Sequence, residues 1–585
     1  MSDPTIQARI LDWCGPSFPL EIRDSAAKIY QKYLAGDRSD EVFAFMAEIK
    51  FGTGGLRGVI GSGPNRMNAW TVGKSTLGFA RFLKNNFNSA SVVIAHDSRR
   101  MSTEFAEITA GIFAGQGVKV HLFDGVTPTP ILSYAVRHLK ASGGVVITAS
   151  HNPPEYNGYK VYLSDGSQFT GDDQVALEKE IEGIQGWNIP FVKKTDSIFQ
   201  KQVKIIGTEI KTAYYSEFDK LPWVKQLSKP LSIVYSPLHG TGGSYMPGLL
   251  EKYGATVLPV IEQIEPDGEF PTVEFPNPEE PEALELCRQT ALKTRADLFV
   301  ATDPDADRMG AGILNKKGDY TLINGNQTGS ILCAYLCETY GKPGAQVFKT
   351  IVTTELQKNI AKSNGVAVRD VLTGFKYIAE QMRFLERSEA GFDKSKDFYL
   401  FGGEESYGYL PISFVRDKDS LASTLLLCMV ADQKGNLLDY LDEIYLKYGL
   451  YLEDLKSITM KGFDGLERMN KSIDSLRAAN LQGVELGARK IVSVIDYQAQ
   501  TVDGKPSIAT FKNLPKSNVL QFKLDAEGVL TIRPSGTEPK VKLYVSLRHS
   551  LQPQSIEELQ VLRHELENEL STVSGLFLAK AGLTG

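Results

Sequence analysis

Three aspartates occupy alternate positions in the segment DPDADR, which follows the apolar run DLFVAT. In an extended segment, side chains two residues apart share a face, so we expect Asp303, Asp305 and Asp307 to lie together. Carboxylates this close repel one another unless a cation lies between them. Hard oxygen ligands suit Mg²⁺ better than Zn²⁺. The pattern therefore predicts a magnesium site, with Arg308 beside it to hold a phosphate. The alternative is a solvated acidic turn, which the preceding apolar run disfavours.

A second polar loop, TASHNPPEYNGYK, begins where the apolar run GGVVI ends. Ser150 would lie beyond the carboxyl end of a strand, where open α/β sheets bind ligands, so it is a candidate nucleophile or phosphate carrier. His151 is adjacent, but neighbours on an extended chain point in opposite directions. The G-x-S-x-G motif of many serine hydrolases is absent. A Ser/Asn turn that caps a helix is the alternative interpretation.

Two further loops carry groups that bind sugars or phosphates. In GGEESYG, carboxylates and a hydroxyl flanked by glycines could bind sugar hydroxyls, although a charged hairpin tip would have the same composition. The segment RPSGTEPK combines backbone N–H groups, hydroxyls and positive charge in the manner of an anion-binding nest. It lacks the Walker pattern G-x-x-x-x-G-K-[ST]. The Gly-rich segment FGTGGLRG lacks the strand-first context of a dinucleotide site.

The four loops together predict a chemistry that none of them predicts alone. They offer a serine, a carboxylate metal site, a group that binds sugar hydroxyls and a phosphate nest. These groups are the ones needed to transfer a phosphoryl group to or from a sugar. In such a reaction a metal neutralises charge and basic residues position the phosphate.

Helical stretches separate the apolar runs, and this alternation predicts α/β units around largely parallel strands. The runs form three pairs whose members are 54, 65 and 53 residues apart: Val93 and Ile147, Val234 and Phe299, and Val347 and Leu400. Equal placement of a polar loop after each second run indicates one α/β unit used three times. The alternative is that any large α/β protein has strand pairs at such distances.

The two ends of the chain differ from this repeat. Residues 1–50 have apolar positions at helical spacing. Near the other end, GVLTIRPSGTEPKVKLYVSL predicts two strands around a turn, and an amphipathic helix is expected from Ser555 to Leu576. The expected fold is thus α/β, with three similar domains of mixed, largely parallel sheets and a smaller C-terminal α+β domain. The predicted boundaries lie near residues 205, 323 and 455.

Composition excludes several classes of function. The chain has 585 residues with 64 basic and 70 acidic side chains, a net charge of −6, and a nucleic-acid binder normally has a basic excess. The longest apolar candidate, Leu421–Ala431, is interrupted by Ser423 and Thr424, so no membrane span is expected. No signal-peptide pattern begins the sequence. The five cysteines form no disulfide or zinc pattern, and we interpret them as free thiols in a reducing cytoplasm.

The chain resembles the α-D-phosphohexomutases, the superfamily of phosphoglucomutases and phosphomannomutases. TASHNP resembles the family's phosphoserine loop, DPDADR its magnesium loop, GEES its sugar-binding loop and RPSGTEPK its phosphate-binding loop, in family order. The resemblance covers residues 51–547 and implies four domains around a central cleft. These domains are expected at 1–205 (helical extension and phosphoserine), 206–323 (metal), 324–455 (sugar) and 456–585 (phosphate).

The resemblance also implies roles for individual residues. It implies a catalytic phosphoserine at Ser150, which would ligate Mg²⁺ together with the three aspartates, and a glucose 1,6-bisphosphate intermediate that also serves as activator. It assigns further catalytic positions to His151, Lys160, Arg57 and Lys376, the last in TGFK, where phenylalanine replaces the usual tryptophan. It assigns substrate binding to Arg308, Thr373, Glu404, Ser406, Arg533, Ser535, Gly536, Thr537 and Lys540.

The expected activity is that of a phosphoglucomutase that interconverts glucose 1-phosphate and glucose 6-phosphate, because GEES is typical of glucose-specific members. The N-terminal segments resemble the longer phosphoglucomutase-2/phosphopentomutase-like branch, so a phosphopentomutase or phosphomannomutase is the alternative. A metal-dependent sugar phosphatase with an aspartyl nucleophile is a more distant alternative, and a non-catalytic sugar-phosphate sensor is another. We expect a cytoplasmic monomer or homodimer whose partner is a small phosphosugar, with neither nucleic acid nor membrane.

Overall fold

The computed structural model describes residues 4–37, 39–51, 55–459, 465–479, 481–534 and 540–583. Its α-helices, labelled in chain order, are α1 (Pro4–Trp13), α2 (Leu20–Leu34), α3 (Asp40–Phe43), α4 (Ala69–Asn86), α5 (Ser102–Gly115), α6 (Thr129–His138), α7 (Gly171–Glu182), α8 (Ser197–Gln202), α9 (Thr208–Phe218), α10 (Met246–Lys252), α11 (Glu285–Thr294), α12 (Gly325–Tyr340), α13 (Glu355–Ser363), α14 (Phe375–Arg387), α15 (Ser420–Lys434), α16 (Leu437–Tyr448), α17 (Gly465–Ala478), α18 (Ile508–Phe511) and α19 (Ile556–Lys580). Short 3₁₀ helices span Thr241–Ser244 and Pro281–Leu284.

The strands, labelled in the same way, are β1 (Gly55–Val59), β2 (Ser91–His96), β3 (Lys119–Phe123), β4 (Gly143–Ile147), β5 (Tyr156–Leu163), β6 (Val203–Ile206), β7 (Leu231–Ser236), β8 (Ala255–Pro259), β9 (Leu298–Thr302), β10 (Met309–Leu314), β11 (Tyr320–Ile323), β12 (Ala345–Thr350), β13 (Ala367–Val371), β14 (Phe398–Gly403), β15 (Tyr409–Leu410), β16 (Tyr451–Thr459), β17 (Glu485–Leu486), β18 (Arg489–Asp496), β19 (Thr501–Val502), β20 (Lys505–Pro506), β21 (Leu520–Leu524), β22 (Val529–Pro534) and β23 (Lys540–Arg548). All six apolar runs of the sequence analysis are strands.

The chain divides into two compact units. The first comprises Met1–Asn324, Gly374–Arg383 and Ser406–Gln433, and the second comprises Gly325–Thr373, Phe384–Glu405 and Lys434–Gly585. The predicted domain boundaries near 205, 323 and 455 remain predictions.

The threefold α/β repeat is visible in strand pairing. In the first unit, one sheet has the order β1-β5-β4-β2-β3-β6 and another the order β11-β10-β9-β7-β8. In the second unit, β12 pairs in parallel with both β13 and β14. The strands β2 and β7 pair in the same way, each parallel to the next strand in sequence and to the second member of its predicted pair. Each predicted pair is therefore two adjacent parallel strands, whose carboxyl ends share one edge of a sheet.

Packing explains why these runs form strands. β4 is buried along its whole length and so is β9, as expected of strands that helices cover on both faces. Phe79 on α4 and Phe113 on α5 pack against Val92 and Val145 in one core cluster. These covered strands hold the loops at their carboxyl ends in fixed positions.

The ends of the chain agree with their predictions. The helices α1, α2 and α3 form a separate apolar cluster around Trp13. In the second unit, an antiparallel sheet runs β16-β23-β22-β21-β18-β19-β20, and α19 begins where Ser555 Oγ accepts a hydrogen bond from the backbone of Glu558. None of the described helices is long and apolar enough to cross a membrane.

Candidate active site

Ser150 lies in the loop that follows β4, and its side chain points at the first aspartate of DPDADR. Ser150 Oγ donates a 2.7 Å hydrogen bond to Asp303 Oδ2, and the serine is buried. His151 Nδ1 lies 3.2 Å from the same Oγ. The expectation that these neighbours point apart was wrong, because Ser150 has φ 53°, a left-handed rather than extended conformation.

The loop holds this shape through close contacts with β5. The Ser150 N–H donates to Thr148 Oγ1 at 2.8 Å, and the Thr148 N–H donates to the carbonyl of Gly158 at 3.1 Å. A Cβ at residue 158 would lie 2.3 Å from the Thr148 carbonyl oxygen, so only glycine fits there.

The three aspartates form a buried cluster at the carboxyl end of β9. One carboxylate oxygen from each lies within 4.8 Å of the others, and all three side chains are buried. The predicted cluster is therefore confirmed, but its predicted geometry was wrong. Residues 303–308 form a tight turn rather than an extended segment, with Ala306 at φ 53°. Asp303 Oδ1 closes the turn by accepting the N–H groups of Asp307 and Arg308.

The acidic turn is also contacted by Lys160 on β5 and by Thr129 at the start of α6. Lys160 Nζ on β5 lies 2.7 Å from Asp305 Oδ2 and 3.3 Å from Asp307 Oδ2. Thr129 Oγ1 donates to Asp305 Oδ2 at 2.8 Å. Burial disfavours the charge on Lys160, but the two aspartates outweigh it, so the pKa of Lys160 is raised. Lys160 therefore carries a full positive charge at neutral pH.

The pKa values of Asp303 and Asp305 shift in opposite directions, although the two side chains are close together. Burial, together with the charges of Asp307 and Asp305, raises the pKa of Asp303 well above its usual range. Burial also acts to raise the pKa of Asp305, but the charge of Lys160 reverses the effect and lowers it.

The oxygen atoms of the acidic turn fit a hard cation. Among the described residues, the Oδ1 atoms of Asp305 and Asp307 are buried and accept no hydrogen bond. A divalent ion would satisfy both atoms.

Lys418 also contacts the turn, although the sequence analysis did not select it. Its Nζ lies 3.0 Å from Asp307 Oδ2, in a buried segment, Arg416–Asp419, directly before α15. The Ser420 N–H and Oγ both donate to the carbonyl of Ala306, which fixes this segment against the turn. Four consecutive charged residues before the very apolar start of α15 were the available signal.

Comparisons with known proteins match this arrangement to one family. Models of phosphoglucomutase/phosphomannomutase alpha/beta/alpha domains I, II and III match residues 48–186, 212–316 and 324–448. A phosphoglucomutase of Staphylococcus aureus (strain USA300) is 37% identical over 514 residues, which is 86% of this chain and 90% of the relative. The chain belongs to the phosphoglucomutase/phosphomannomutase family. This membership confirms the superfamily that the four loops predicted, and the three matched alpha/beta/alpha domains confirm the predicted fold class.

One further relative and two solved structures are also similar to this chain. A phosphoglucomutase of Staphylococcus haemolyticus is 37% identical over 510 residues, 86% of this chain and 91% of the relative. The crystal structure of parafusin, a Paramecium phosphoglucomutase, has a TM-score of 0.66 at 18% identity and covers 90% of this chain and 96% of its own. The crystal structure of a phosphoglucomutase/phosphomannomutase family protein from Burkholderia thailandensis has a TM-score of 0.63 at 20% identity. The match covers 90% of this chain and 97% of that protein. These two structures support the fold alone.

Three other site residues that the resemblance predicted, Arg57, Arg308 and Lys376, lie in the first unit and each has a side-chain partner there. Arg57 is exposed on β1, and its Nη1 donates to Asn152 Oδ1 in the serine loop at 3.0 Å. Arg308 pairs with Glu279. Lys376 is buried, and its Nζ donates to Gln174 Oε1 on α7 at 2.9 Å, so the structure places it against that helix. Burial lowers the pKa of Lys376.

Ser406 is half-buried in the first unit, whereas the predicted sugar-binding and phosphate-binding groups mostly lie in the second. There, Glu404 is buried after β14, and Thr373 Oγ1 is buried without a hydrogen bond among the described residues. Arg533 and Lys540 stand at facing ends of β22 and β23. Ser535, Gly536 and Thr537 lie outside the described residues. The assigned roles of all these residues remain predictions.

Proposed function

We propose that this family member is a phosphoglucomutase that interconverts glucose 1-phosphate and glucose 6-phosphate through a phosphoserine at Ser150. The observation that carries the proposal is the placement of Ser150 Oγ at 2.7 Å from Asp303, within a buried turn of three carboxylates. The curated relatives, which are phosphoglucomutases at 37% identity over most of the chain, support glucose phosphate as the substrate.

Mg²⁺ is the proposed cofactor, held by Ser150, Asp303, Asp305 and Asp307. The all-oxygen donor set and the two unsatisfied Oδ1 atoms support a hard divalent ion. When bound, Mg²⁺ would neutralise the charge that develops on the transferring phosphoryl group.

The proposed cycle moves one phosphoryl group in each direction. With glucose 1-phosphate bound, the P–O bond to Ser150 Oγ breaks and a P–O bond forms to the sugar 6-hydroxyl oxygen. The hydroxyl proton leaves the sugar, and the serine oxygen gains a proton, so the products are glucose 1,6-bisphosphate and free Ser150. The bisphosphate then turns in the site, its 1-phosphate returns to Ser150 Oγ, and O1 takes up the serine proton.

Residues around Ser150 suit separate parts of this cycle. His151 Nδ1, at 3.2 Å from Ser150 Oγ, is placed to exchange the serine proton. Lys160 is held charged by two aspartates, so we assign it to charge stabilisation rather than to proton transfer. Arg57 reaches the serine loop through Asn152, and we assign it to the transferring phosphate.

The sugar-binding and phosphate-binding roles are proposed for residues of other loops. Glu404 and Ser406 would bind sugar hydroxyls, Thr373 would bind substrate, and Lys376 is proposed as a catalytic residue. Arg308, beside the acidic turn, would bind a phosphate near the metal, whereas Arg533, Lys540 and the segment Ser535–Thr537 would bind the phosphate that is not being transferred. We further propose a monomer or homodimer in the cytoplasm, where a reducing environment would suit the five cysteines, all of which are free thiols.

One experiment tests the proposal. The purified chain, given Mg²⁺ and glucose 1,6-bisphosphate, is assayed with glucose 1-phosphate, mannose 1-phosphate and ribose 1-phosphate under identical conditions. We expect the largest kcat/KM for glucose 1-phosphate and, by intact-mass measurement, one phosphate per chain that Ser150→Ala abolishes. A larger kcat/KM for ribose 1-phosphate or mannose 1-phosphate would establish the corresponding mutase instead. Release of inorganic phosphate that survives Ser150→Ala would establish a phosphatase.

A further inference from the structure

Arg99, just beyond the carboxyl end of β2, is buried beneath the serine loop and binds four of its backbone carbonyls. Its Nη1 donates to the carbonyl of Pro153 at 2.7 Å and to that of Tyr156 at 3.2 Å. Its Nη2 donates to the carbonyl of Ser150 at 2.5 Å and to that of Asn152. One guanidinium therefore forms hydrogen bonds with backbone carbonyls near both ends of the loop that carries Ser150.

The guanidinium is itself held from two sides. Arg99 Nε lies 3.3 Å from Asp97 Oδ2, and the Arg99 N–H donates to Asp97 Oδ1 at 2.9 Å. The ring of Phe270, which is also buried, lies 4.9 Å from Arg99 Cζ. Burial lowers the pKa of Arg99 to about 10, with Asp97 opposing the shift, so the side chain stays charged at neutral pH. Arg99 is thus a fixed cation whose donors face the loop.

The conformation of the loop depends on such a cation. Ser150 has a left-handed φ of 53°, a conformation that is unfavourable for an L-residue with a side chain. Four carbonyl oxygens that converge on one buried point also need donors. Arginine supplies several N–H donors in a rigid planar fork, and no other side chain offers as many in one plane.

We propose that Arg99 is a positioning residue that sets Ser150 Oγ against Asp303 for phosphoryl transfer. It does not contact the reacting oxygen, because its partners are carbonyl groups behind Ser150. The inference rests on the proposed function of Ser150. It predicts that changes at Arg99 alter the phosphoryl-transfer step rather than the binding of the sugar phosphate.

The test compares Arg99→Lys with Arg100→Gln. Lysine keeps the positive charge but places three donors on one nitrogen, which cannot span carbonyls from residue 150 to residue 156. Arg100 is the matched control, because its side chain is half-exposed and pairs with Glu269 rather than with the loop. We expect Arg99→Lys to lower kcat with glucose 1-phosphate by about 100-fold, the loss typical of a displaced reacting group, while KM stays within about twofold. We expect Arg100→Gln to retain the wild-type kcat.

A second measurement separates positioning from folding. The rate at which Ser150 takes phosphate from glucose 1,6-bisphosphate is followed by intact mass, at a temperature at which the far-UV spectrum of each variant matches that of the wild type. A parallel loss of phosphate uptake and kcat in Arg99→Lys supports the proposal. For Arg99→Ala, partial recovery of kcat with added guanidinium, but not with added ammonium, would also support it.

Two results would overturn the inference. One is a wild-type kcat in folded Arg99→Lys, which would leave Arg99 with a structural role alone. The other is a raised KM at unchanged kcat, which would place Arg99 in substrate binding. A wild-type chain without mutase turnover or phosphate uptake would instead refute the proposed function, so the two failures are distinguishable.

Discussion

Ser150 Oγ and Asp303 Oδ2 lie 2.7 Å apart, although 153 residues separate them in the chain. The contact joins the carboxyl end of β4 to that of β9, which are equivalent strands of two α/β repeats. Negative charge on the carboxylates of the acidic turn would repel an incoming phosphate, so a cation bound at the turn would be needed for phosphate to reach Ser150 Oγ.

Replacement of Ser150 by alanine is expected to abolish both turnover and phosphate incorporation. The substitution removes the oxygen that carries the phosphoryl group and, among the described residues, its hydrogen bonds to Asp303 and His151 alone, so the chain should still fold. Intact mass after incubation with glucose 1,6-bisphosphate and a coupled mutase assay measure the two effects. The exposed Ser89→Ala serves as the control and should behave as wild type. Full turnover in Ser150→Ala would contradict the phosphoserine mechanism.

The acidic turn makes a prediction about metal dependence. Asp305 Oδ1 is buried without a hydrogen bond in the described chain, and its carboxylate faces Lys160. We expect Asp305→Asn to raise the Mg²⁺ concentration needed for half-maximal activity by at least about 100-fold, because even residues that support a metal ligand contribute about 10–100-fold in affinity. Titration of activity with Mg²⁺ measures the shift. Asp319→Asn, which changes an exposed partner of Arg288, is the control and should show no shift.

Removal of the metal should also lower the melting temperature of the wild-type chain. An ion that binds only the folded state stabilises it by about 2.7 kcal/mol at a concentration 100 times its Kd. Differential scanning calorimetry with Mg²⁺ and with EDTA measures this difference. An equal response to Mg²⁺ in Asp305→Asn and in the wild type would place the metal elsewhere.

The sequence predicted the site where local features determine it. Ser150 and Asp303 were found because an apolar strand followed by a polar loop is a local pattern, and the carboxyl ends of parallel strands meet at one edge. The exact shape of the loops was not predicted, since Ser150 and Ala306 adopt left-handed conformations that their residue types do not require.

Residues that act through tertiary contacts could not be predicted in this way. Lys418 reaches Asp307 because the segment before α15 folds against the acidic turn. Arg99 was missed because its partners are backbone carbonyls, which every sequence contains. A charged residue that becomes buried is recognised only when its neighbours in space are known.

The two glutamates of GGEES should respond differently to substitution. Glu405 Oε2 already accepts hydrogen bonds from Thr350 Oγ1 at 3.1 Å and Thr353 Oγ1 at 3.4 Å, which commits it to the end of β12 and the loop that follows β12. We expect Glu404→Gln to lower kcat/KM for glucose 1-phosphate by about 10–100-fold, the value of one or two charged hydrogen bonds to sugar hydroxyls. Glu405→Gln should have the smaller effect. The reverse order in steady-state kinetics would exchange their proposed roles.

Asp419 makes stability depend on pH. Its side chain is fully buried, it accepts hydrogen bonds from Tyr214 Oη at 2.7 Å and the Ala422 N–H at 2.9 Å, and burial raises its pKa from 3.8 to about 6. Between these two values the unfolded chain releases the proton and the folded chain retains it, so the contribution to stability falls as pH rises and is constant above about pH 6. Two pKa units correspond to roughly 3 kcal/mol.

Asparagine has no charge: its Oδ1 can still accept the Ala422 N–H, and its Nδ2 can donate to Tyr214 Oη in place of the hydrogen bond that Asp419 accepts from that hydroxyl. Asp419→Asn should therefore melt at the wild-type temperature near pH 4 and at a temperature several degrees higher at pH 7 to 8. Calorimetry of both proteins across this range measures the difference. Glu443→Gln, on the exposed side of α16, should leave the melting temperature unchanged at each pH. A constant difference between Asp419→Asn and wild type at every pH would exclude titration of Asp419 as the cause.

Trp13 should be the residue on which the N-terminal helices depend. Its ring centroid lies 4.4 Å from that of Phe18 and 5.3 Å from that of Trp187, and 1% of its surface is exposed. Trp187 lies in the segment after α7, so this cluster fastens α1 to the first α/β domain, outside the residues 48–186 that match the family. Trp13→Ala leaves a large cavity there and should cost about 3–5 kcal/mol.

Limited proteolysis measures the consequence. We expect protease to cut Trp13→Ala before residue 48 at concentrations that leave the wild type intact, because helices that lose their packed face open locally. Leu11→Ala, which changes a half-exposed residue of the same helix, is the matched control and should resist cleavage. If Trp13→Ala resists cleavage as well as Leu11→Ala does, contacts other than the aromatic cluster hold the extension in place.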